Sequence, residues 1–277
     1  MPIKIDNLCF SYNSEMIIDD LNLKVNDNEI LAIVGNTGSG KSTLVQLIAG
    51  LLKADKGKII VDNDDIIAKK FNKKILRKKL GIVFQFPEMQ LFEQSVEKDI
   101  FFGLKQYNLS YKEKCARAKE VLNLLGLDFE EIRDKSPLAL SGGEKRKVAI
   151  AGVMVCKPKY LIFDEPIAGL DYSSRESFMK VLLKLKEQGT SIIIISHNLD
   201  YLAEYADRII VMNNGKIVLD DLPNIVFGKQ QMLDELNIGT CSSKNIINLL
   251  KANDIQMPDN IIKYNDLLNS LITCFGE

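Results

Sequence analysis

The chain carries the stretch Gly35-Asn36-Thr37-Gly38-Ser39-Gly40-Lys41-Ser42, in which a glycine and four further residues precede Gly-Lys-Ser. Residues 30–34 before it are apolar, as in a buried parallel strand, and residues 43–49 after it are typical of a helix. Glycines let the backbone turn tightly, so that successive N–H groups face phosphate oxygens. Lys41 supplies a charge for the outer phosphates, and the Ser42 hydroxyl can bind Mg²⁺. The stretch therefore predicts an α/β fold that binds ATP or GTP, rather than a glycine-rich turn that binds nothing.

A pair of carboxylates, Asp164 and Glu165, follows a second strand candidate at 160–163. Burying a carboxylate without a partner is costly, so an acid pair at the carboxyl end of a strand favours a ligand crevice. We expect Asp164 to hold Mg²⁺, directly or through water, and Glu165 to polarise or orient the attacking water as general base. Alone, the pair could be a surface turn. Together with the phosphate loop it predicts nucleotide hydrolysis.

A third segment, Leu140-Ser141-Gly142-Gly143-Glu144, precedes a helix-forming stretch and places Ser141 as the N-cap. A serine and two glycines at a helix start expose N–H groups beside the positive end of the helix dipole, which makes a second anion site. One nucleotide does not need two such sites from one subunit. From these residues alone, an ordinary capped helix is an equally good interpretation.

The three segments together resemble the ATP-binding cassette (ABC) family over residues 3 to about 225. The resemblance implies a phosphate-loop NTPase cassette over 1–225, with a RecA-like mixed or parallel sheet core, an antiparallel β subdomain and an α-helical subdomain at about 86–150. Residues 226–277 form a small helical C-terminal extension, for which dimer contact and simple packing are both open. In this family, residues 140–144 of one subunit close over the ATP that another subunit's phosphate loop holds, so a dimer with two composite sites is implied.

Single residues match family positions. Tyr12 matches the aromatic residue that stacks on adenine, with an ordinary core or edge aromatic as the alternative. Gln85 matches a glutamine that touches Mg²⁺ and the attacking water, although it could be a polar strand cap. His197, the single histidine, matches the residue that contacts the γ-phosphate, with a structural histidine as the alternative. The segment 168–171 matches the loop that crosses the dimer interface.

The resemblance assigns these residues to three groups. The catalytic residues are Glu165, His197 and Gln85. The residues that contact ATP are Tyr12, Gly35, Asn36, Thr37, Gly38, Ser39, Gly40, Lys41, Ser42, Thr43, Ser141, Gly142, Gly143 and Glu144. The residues that hold Mg²⁺ are Ser42, Gln85 and Asp164.

A narrower resemblance lies in Gln85-Phe86-Pro87-Glu88-Met89-Gln90-Leu91-Phe92 and the following segment 95–103, which are similar to the ATPase subunits of energy-coupling factor transporters. These importers take up vitamins and transition-metal ions, and the match is better to the second of their two paralogous ATPases. Pro87 interrupts any helix, and Phe86, Leu91 and Phe92 offer apolar anchors for a partner's coupling helix, unless they are buried in the core.

The narrower resemblance implies an ATP-hydrolysing importer subunit at the cytoplasmic face of the cell membrane, with ATP and Mg²⁺ as cofactors. Its implied partners are a second ABC ATPase subunit, a transmembrane coupling subunit similar to EcfT and a substrate-binding membrane S component. A paralogue is favoured as the second ATPase, which makes the pair a heterodimer. The alternative is a soluble ABC ATPase that acts on nucleic acid or the ribosome. A phosphate-loop kinase has no use for residues 140–144.

Three residues depart from the family pattern. Glu144 replaces the commoner glutamine, and Ile167 replaces the usual threonine or serine after Asp-Glu-Pro. Neither change removes a catalytic group, but a carboxylate at 144 could modestly weaken ATP binding in the neighbouring subunit. Tyr172 stands where proline is frequent and affects only the stiffness of the loop.

Composition agrees with these expectations. With 277 residues and 46% hydrophobic content, the chain can bury a large core. A net charge of −1 provides no field that recruits nucleic acid. Residues 69–79 are locally basic, which predicts a solvated helix face or, alternatively, a contact with anionic lipid headgroups or an acidic partner surface. The 5 cysteines are scattered, which favours reduced thiols in the cytosol. The Met1-Pro2 start shows no signal peptide, and no apolar run approaches the ~20 residues that span a bilayer.

Overall fold

The computed structural model describes residues 3–275, so the start at Met1-Pro2 and the outer ends of the ranges 1–225 and 226–277 lie outside the described residues. The strands are β1 (Ile3–Tyr12), β2 (Glu15–Val25), β3 (Ile30–Gly35), β4 (Lys56–Val61), β5 (Asp64–Asp65), β6 (Leu80–Val83), β7 (Tyr160–Asp164), β8 (Ser191–Ile195), β9 (Arg208–Asn213) and β10 (Lys216–Asp221). The helices are α1 (Lys41–Ile48), α2 (Lys73–Lys79), α3 (Val96–Gly103), α4 (Tyr111–Leu124), α5 (Phe129–Ile132), α6 (Gly142–Met154), α7 (Tyr172–Glu187), α8 (Leu199–Tyr205), α9 (Pro223–Gly228), α10 (Gln230–Glu235), α11 (Ser242–Ala252) and α12 (Tyr264–Phe275). Short 3-10 helices occupy Pro87–Gln90, Leu104–Gln106 and Pro137–Ala139.

The chain divides into two compact units. The first unit runs from the amino terminus to Phe71 and from Ile193 to the carboxyl terminus, and the second unit is Asn72–Ile192. The second unit joins the helical segment to β6, β7 and α7. It is therefore larger than the helical subdomain expected at 86–150, whose boundary stays a prediction.

The first unit contains the antiparallel sheet expected near the amino terminus, with the strand order β2-β1-β4-β5. The register of β1 against β2 shifts between Ile5 and Leu8, where Asn7 has a φ of 47°. The Asn7 N–H donates to Asn22 Oδ1 at 2.9 Å, so a side chain replaces a strand partner at this position. Such a bulge bends the strand while Ile5 and Leu8 both stay buried.

A second group of strands in the first unit has the order β10-β9-β3-β8. Every residue of β3 is buried, and β3 pairs with β9 in parallel, as its continuous apolar pattern predicts. The hairpin from β9 to β10 turns at Asn214 and Gly215, whose φ angles are 46° and 76°. Two positive φ angles are what an Asn-Gly hairpin turn requires, so this residue pair suits the turn.

In the second unit, β6 and β7 pair in parallel with Val83 opposite Phe163. The residues that follow these two strands therefore emerge at the same edge. Behind that edge, α6 packs against α3, α4 and the 3-10 helix at Pro87–Gln90. Pro87 is the first residue of this 3-10 helix. The first N–H of a helix has no partner within the helix, so proline, which has no N–H, is well tolerated there.

The C-terminal extension belongs to the first unit and consists of the short helices expected from its sequence. Ile247, Met257, Ile261 and Leu267 form a small core of their own between α11 and α12. Packing of the extension is therefore observed, whereas the dimer contact stays a prediction.

Candidate functional site

The phosphate-loop segment connects β3 to α1 with a backbone that only glycine adopts easily. Gly35 has a φ of 153° and Gly40 a φ of 100°. A Cβ at position 35 would lie 2.3 Å from Met212 O, and one at position 40 would lie 2.9 Å from Ile18 Cδ1. Gly40 is also the N-cap of α1 and has no side chain with which to cap the helix. The first-turn N–H groups of α1 are therefore suited to an anion.

Lys41 is buried, with only 8% of its surface exposed, and its ammonium lies against the loop. The Lys41 Nζ donates to Gly35 O at 2.6 Å and to Asn36 O at 2.8 Å. The Gly215 N–H donates to Ser39 O at 3.1 Å, which attaches the loop to the β9–β10 turn. The loop thus presents a fixed cation and a helix N-terminus together, the combination that phosphate groups require.

Tyr12 and His197, the other two candidates in the first unit, are both exposed. Tyr12 ends β1 and its ring meets Phe10 edge-on at 4.7 Å, so it is not a core aromatic. His197 follows β8 by two residues, and the Ser196 hydroxyl next to it accepts the Asn198 N–H at 3.1 Å. The exposure of His197 excludes a role as a core histidine.

In the second unit, β7 ends in the expected acid pair. Asp164 and Glu165 are both half-buried, and Glu165 has a φ of 51°, a left-handed conformation that is strained for a residue with a side chain. Gln85, which follows β6, is exposed. Because β6 and β7 pair in parallel register, Gln85 and the acid pair belong to the same edge.

Arg146 holds the segment that follows the acid pair. Its guanidinium donates to Glu165 O at 3.0 Å and to Ala168 O at 2.6 Å. Burial lowers the pKa of Arg146, and the Glu88 carboxylate partly opposes this. Sequence reasoning missed Arg146, although Arg146, Ile150 and Met154 recur every four residues and therefore share the buried face of α6.

Ser141 caps α6 as expected, and Glu144 completes a capping box. The Ser141 hydroxyl accepts the Glu144 N–H at 3.3 Å, and Glu144 Oε2 accepts the Ser141 N–H at 2.8 Å and its hydroxyl at 2.7 Å. The hydroxyl and N–H of Ser141 lower the pKa of Glu144. The pattern Ser-x-x-Glu could have indicated this box from the sequence. A Cβ at Gly142 or Gly143 would meet nothing within 4 Å, so the helix start has an open surface.

The segment 168–171 ends at Asp171, which caps α7. Asp171 Oδ1 accepts the Ser174 N–H at 2.9 Å, and Oδ2 accepts the Ser174 hydroxyl at 2.7 Å. Ile167, which departs from the family pattern, is 2% exposed and packs inward. Its apolar side chain therefore supports the segment without reaching the surface.

The predicted residues fall into two sets. The first unit brings together the phosphate-loop segment, the first turn of α1 and the hairpin turn beside it, and it also contains Tyr12 and His197. The second unit brings together Gln85, Asp164 and Glu165 at one strand edge, and it also contains Ser141–Glu144 at the start of α6.

Comparison with known proteins identifies the family. The family model described as ABC transporter matches residues 18–168. A Clostridium tetani protein named energy-coupling factor transporter ATP-binding protein EcfA2 is 43% identical over 283 residues, which cover 100% of this chain and 98% of the relative. This chain belongs to the ABC transporter family, among the energy-coupling factor ATP-binding proteins. A Caldanaerobacter subterraneus relative of the same name is 41% identical over 95% of this chain and 93% of its own length.

Solved structures agree with the energy-coupling factor family. The structure of cbiO1 from Clostridium perfringens, described as part of the ABC transporter complex cbiONQ, has a TM-score of 0.75 at 36% identity and covers 90% of this chain and 98% of its own. The ATP-binding cassette MJ0796, described as a dimer in a post-hydrolysis state with ADP and Pi, has a TM-score of 0.70 at 27% identity and covers 80% of this chain and 98% of its own. The expected cassette fold and ATPase activity are thereby confirmed, and the soluble non-transport ATPase is disfavoured.

The described residues 3–275 also bear on membrane crossing and on metal binding. No helix in that range has both the length and the hydropathy to cross a bilayer. No group of three or more His, Cys, Asp and Glu side chains within the same residues could hold a metal ion. In this energy-coupling factor protein, nucleotide phosphates and water would complete the coordination of a Mg²⁺ ion, as they usually do.

Proposed function

We propose that this chain is the ATP-hydrolysing subunit of an energy-coupling factor importer that takes up vitamins or transition-metal ions. The observation that carries the proposal is the similarity to EcfA2 proteins over the full chain, in a protein whose phosphate loop presents Lys41 and a helix N-terminus together. ATP binding by the phosphate loop follows from that geometry.

Tyr12 stacks on the adenine, and residues 35–43 hold the phosphates. Magnesium suits Ser42, Gln85 and Asp164, because all three offer hard oxygen ligands and Mg²⁺ keeps other positions for phosphates and water. When bound, the ion neutralises the phosphate charge. Glu165 polarises the attacking water, while Gln85 orients it and His197 contacts the γ-phosphate.

The second half of the site comes from another subunit. The start of α6, with Ser141–Glu144, caps the ATP that the neighbouring phosphate loop holds, and the segment 168–171 lies at the interface. Two ATP molecules then act as attractive contacts between the subunits, and hydrolysis removes these contacts so that the subunits separate. We favour a paralogous ATPase as the partner, which makes the pair a heterodimer.

The coupling surface consists of Phe86, Met89, Phe92 and Phe102 in the second unit. Their exposed fractions are 51%, 83%, 65% and 47%, so core burial is excluded for Phe86 and Phe92, whereas Leu91, the third expected anchor, is half-buried. The rings of Phe92 and Phe102 meet edge-on at 4.9 Å, which joins them into one patch. An apolar patch of this kind marks a protein contact. We assign it to the transmembrane coupling subunit, similar to EcfT, which moves the substrate-binding S component.

This assignment places the chain peripherally at the cytoplasmic face of the membrane, with no nucleic acid as partner. The membrane subunits select the substrate, so this chain supplies only the ATP-driven motion.

Glu165→Gln tests the hydrolytic role. The variant keeps the size of the side chain but cannot accept a proton from water, so we expect turnover to fall by about 10²-fold or more while ATP affinity stays within a few-fold of wild type. Steady-state phosphate release and equilibrium binding of a fluorescent ATP analogue measure the two quantities. Full turnover by the variant would refute the role of Glu165, and a matched Glu187→Gln variant, at an exposed position in the last turn of α7, serves as control.

A further inference from the structure

Residues 236–242 of the C-terminal extension contact two elements of the proposed ATP site through hydrogen bonds, and both contacts lie within the first unit. At one end, Asn36 Nδ2 in the phosphate loop donates to Leu236 O at 2.5 Å. At the other end, Asp200 in α8 accepts the Ser242 N–H at 2.6 Å and the Ser242 hydroxyl at 2.8 Å. Residues 236–242 therefore connect the phosphate loop to the helix that begins two residues after His197.

At the phosphate-loop end of this connection, Asn36 also contacts the ammonium of Lys41, which faces phosphate in the proposed site. Asn36 uses its side chain to donate to Leu236 O, and its own backbone oxygen accepts Lys41 Nζ at 2.8 Å. The position of Leu236 is fixed in turn, because its N–H donates to Met232 O at 3.1 Å and the neighbouring Leu233 is fully buried. A shift of residue 236 would thus move Asn36 and, through Asn36, the resting place of Lys41.

The helix end is held by a charge-assisted pair. Both oxygens of Asp200 are used, and bonds to an ionised acceptor are stronger than neutral ones. The chain just before Ser242 is anchored by Cys241, which is 1% exposed. Within the extension, Lys244 in α11 is 5% exposed and donates to Asp259 O at 2.7 Å, which joins α11 to the segment before α12. The segment between the two contacts is therefore held at both ends by packed structure rather than by a loose tail.

We propose that residues 236–242 brace the phosphate loop against the His197 helix, so that Asn36, Asp200 and Ser242 are positioning residues for ATP. The brace orders the loop and α8 before nucleotide binds. Without the brace, these segments become ordered only on binding, which makes the free energy of ATP binding less favourable. The inference rests on the proposed roles of the loop and His197. It adds a function in the same chain for an extension whose other expected role is dimer contact.

The test uses the full chain with substitutions at the two ends of the brace. Asp200→Ala removes both acceptors, and we expect the KM and the equilibrium Kd for ATP to rise about three- to tenfold, as for the loss of one or two net hydrogen bonds. Asp200→Asn keeps an oxygen for the Ser242 N–H and should restore most of the affinity. A merely destabilised chain would instead lose kcat with its inactive fraction and keep its KM.

Two further variants make the outcome decisive. Glu204→Ala removes another contact between α8 and the extension, the 3.4 Å bond from Tyr264 N–H to Glu204 Oε2, but lies outside the brace, so its KM should stay within about twofold of wild type. Asn36→Ala combined with Asp200→Ala should raise KM no more than the worse single variant, because both act through one segment. A wild-type KM for Asp200→Ala, or effects that multiply in the double variant, would overturn the brace.

Lys41→Ala separates this inference from the proposed function. If Lys41→Ala abolishes ATP binding while Asp200→Ala changes nothing, the brace is wrong and the ATP site stands. If Lys41→Ala leaves ATP binding intact, the proposed ATP site itself is wrong.

Discussion

At the scale of single residues, the buried guanidinium of Arg146 holds the segment that follows β7. Arg146 is 6% exposed, and its guanidinium donates hydrogen bonds to the carbonyls of Glu165 and Ala168. A cation is costly to bury, so it persists only where hydrogen bonds compensate that cost. Here the acceptors are the carbonyls of Ala168 and of Glu165, whose backbone is left-handed. The proposed general base, which follows β7, therefore takes its position from a residue on α6.

Replacing Arg146 tests this dependence. Arg146→Ala removes a guanidinium donor from each of two half-buried carbonyls and leaves a gap in the buried face of α6, and we expect a loss of about 3 kcal/mol in the free energy of unfolding. Urea denaturation followed by circular dichroism measures the change. Lys145→Ala, its half-buried neighbour on the same helix, should change the free energy by less than about 0.5 kcal/mol. Equal effects of the two substitutions would contradict the role of Arg146.

Glu144 supplies a pH-dependent prediction. Hydrogen bonds from Ser141 lower the pKa of Glu144 in the folded chain from its ordinary value of 4.5. An acid with a lowered folded pKa stabilises the fold above its unfolded pKa, and that contribution disappears as the pH falls through the folded value. We therefore expect Glu144→Gln to lose less stability than wild type between neutral pH and pH values below about 4.5. Thermal melts over this range measure it, and parallel pH profiles of the two proteins would contradict it.

Local patterns in the sequence indicated most of the candidate site, because glycine positions, strand ends and caps are encoded by neighbouring residues. The Ser141 cap and the φ angles of the loop glycines follow from such patterns. The role of Arg146 did not follow from a local pattern. Residues 145–147 are three consecutive basic residues, and only the buried face of α6 distinguishes Arg146 from its two neighbours. Glu144 was interpreted as a departure from the family, whereas its carboxylate is engaged with its own helix start.

At the scale of elements, the buried carboxylate of Asp99 holds the backbone at Phe92, one residue of the coupling surface. Asp99 in α3 is 9% exposed and accepts the N–H groups of Phe92 and Glu93 at 3.2 and 3.1 Å. Burial raises the pKa of Asp99, and the two backbone N–H groups partly oppose this. The chain therefore turns after Phe92 at a fixed place, which keeps the Phe92 ring on the surface.

Removing this carboxylate should loosen the coupling surface. Asp99→Ala leaves the N–H groups of Phe92 and Glu93 without their acceptor, and we expect about 2 kcal/mol lower stability together with faster amide exchange at these two residues. Hydrogen exchange followed by mass spectrometry or NMR measures the protection. Asp99→Asn retains one acceptor and should give an intermediate result. Unchanged exchange in Asp99→Ala would show that Asp99 does not hold the turn.

Element boundaries show where sequence patterns stop being informative. The β9–β10 hairpin was predictable from its Asn-Gly turn, and the strand before the phosphate loop from its apolar run. The bulge at Asn7 was not, because it depends on hydrogen bonds to the side chains of Asn22 and Asp20 on β2, which lie 15 and 13 residues away in sequence and meet Asn7 only once the strands pair. Strand pairing between distant segments is specified by tertiary contacts, which a local pattern does not contain.

At the scale of the whole molecule, the proposed composite site requires a second subunit. The start of α6 presents open glycines beside the Ser141 cap, and the phosphate loop presents Lys41 with the first turn of α1. Each is an anion site, and the proposed function joins the loop of one subunit to the helix start of another across bound ATP. The proposed function therefore predicts that ATP increases the affinity between subunits and that hydrolysis decreases it.

The most direct test measures the mass of the Glu165→Gln chain by sedimentation velocity, mixed with the second ATP-binding subunit of its transporter, with and without ATP and Mg²⁺. The account predicts a two-subunit species that requires ATP and is lost in Lys41→Ala and in Ser141→Arg, the latter because a large side chain blocks the helix start. If both proteins sediment as single chains whether or not ATP is present, the composite site is contradicted.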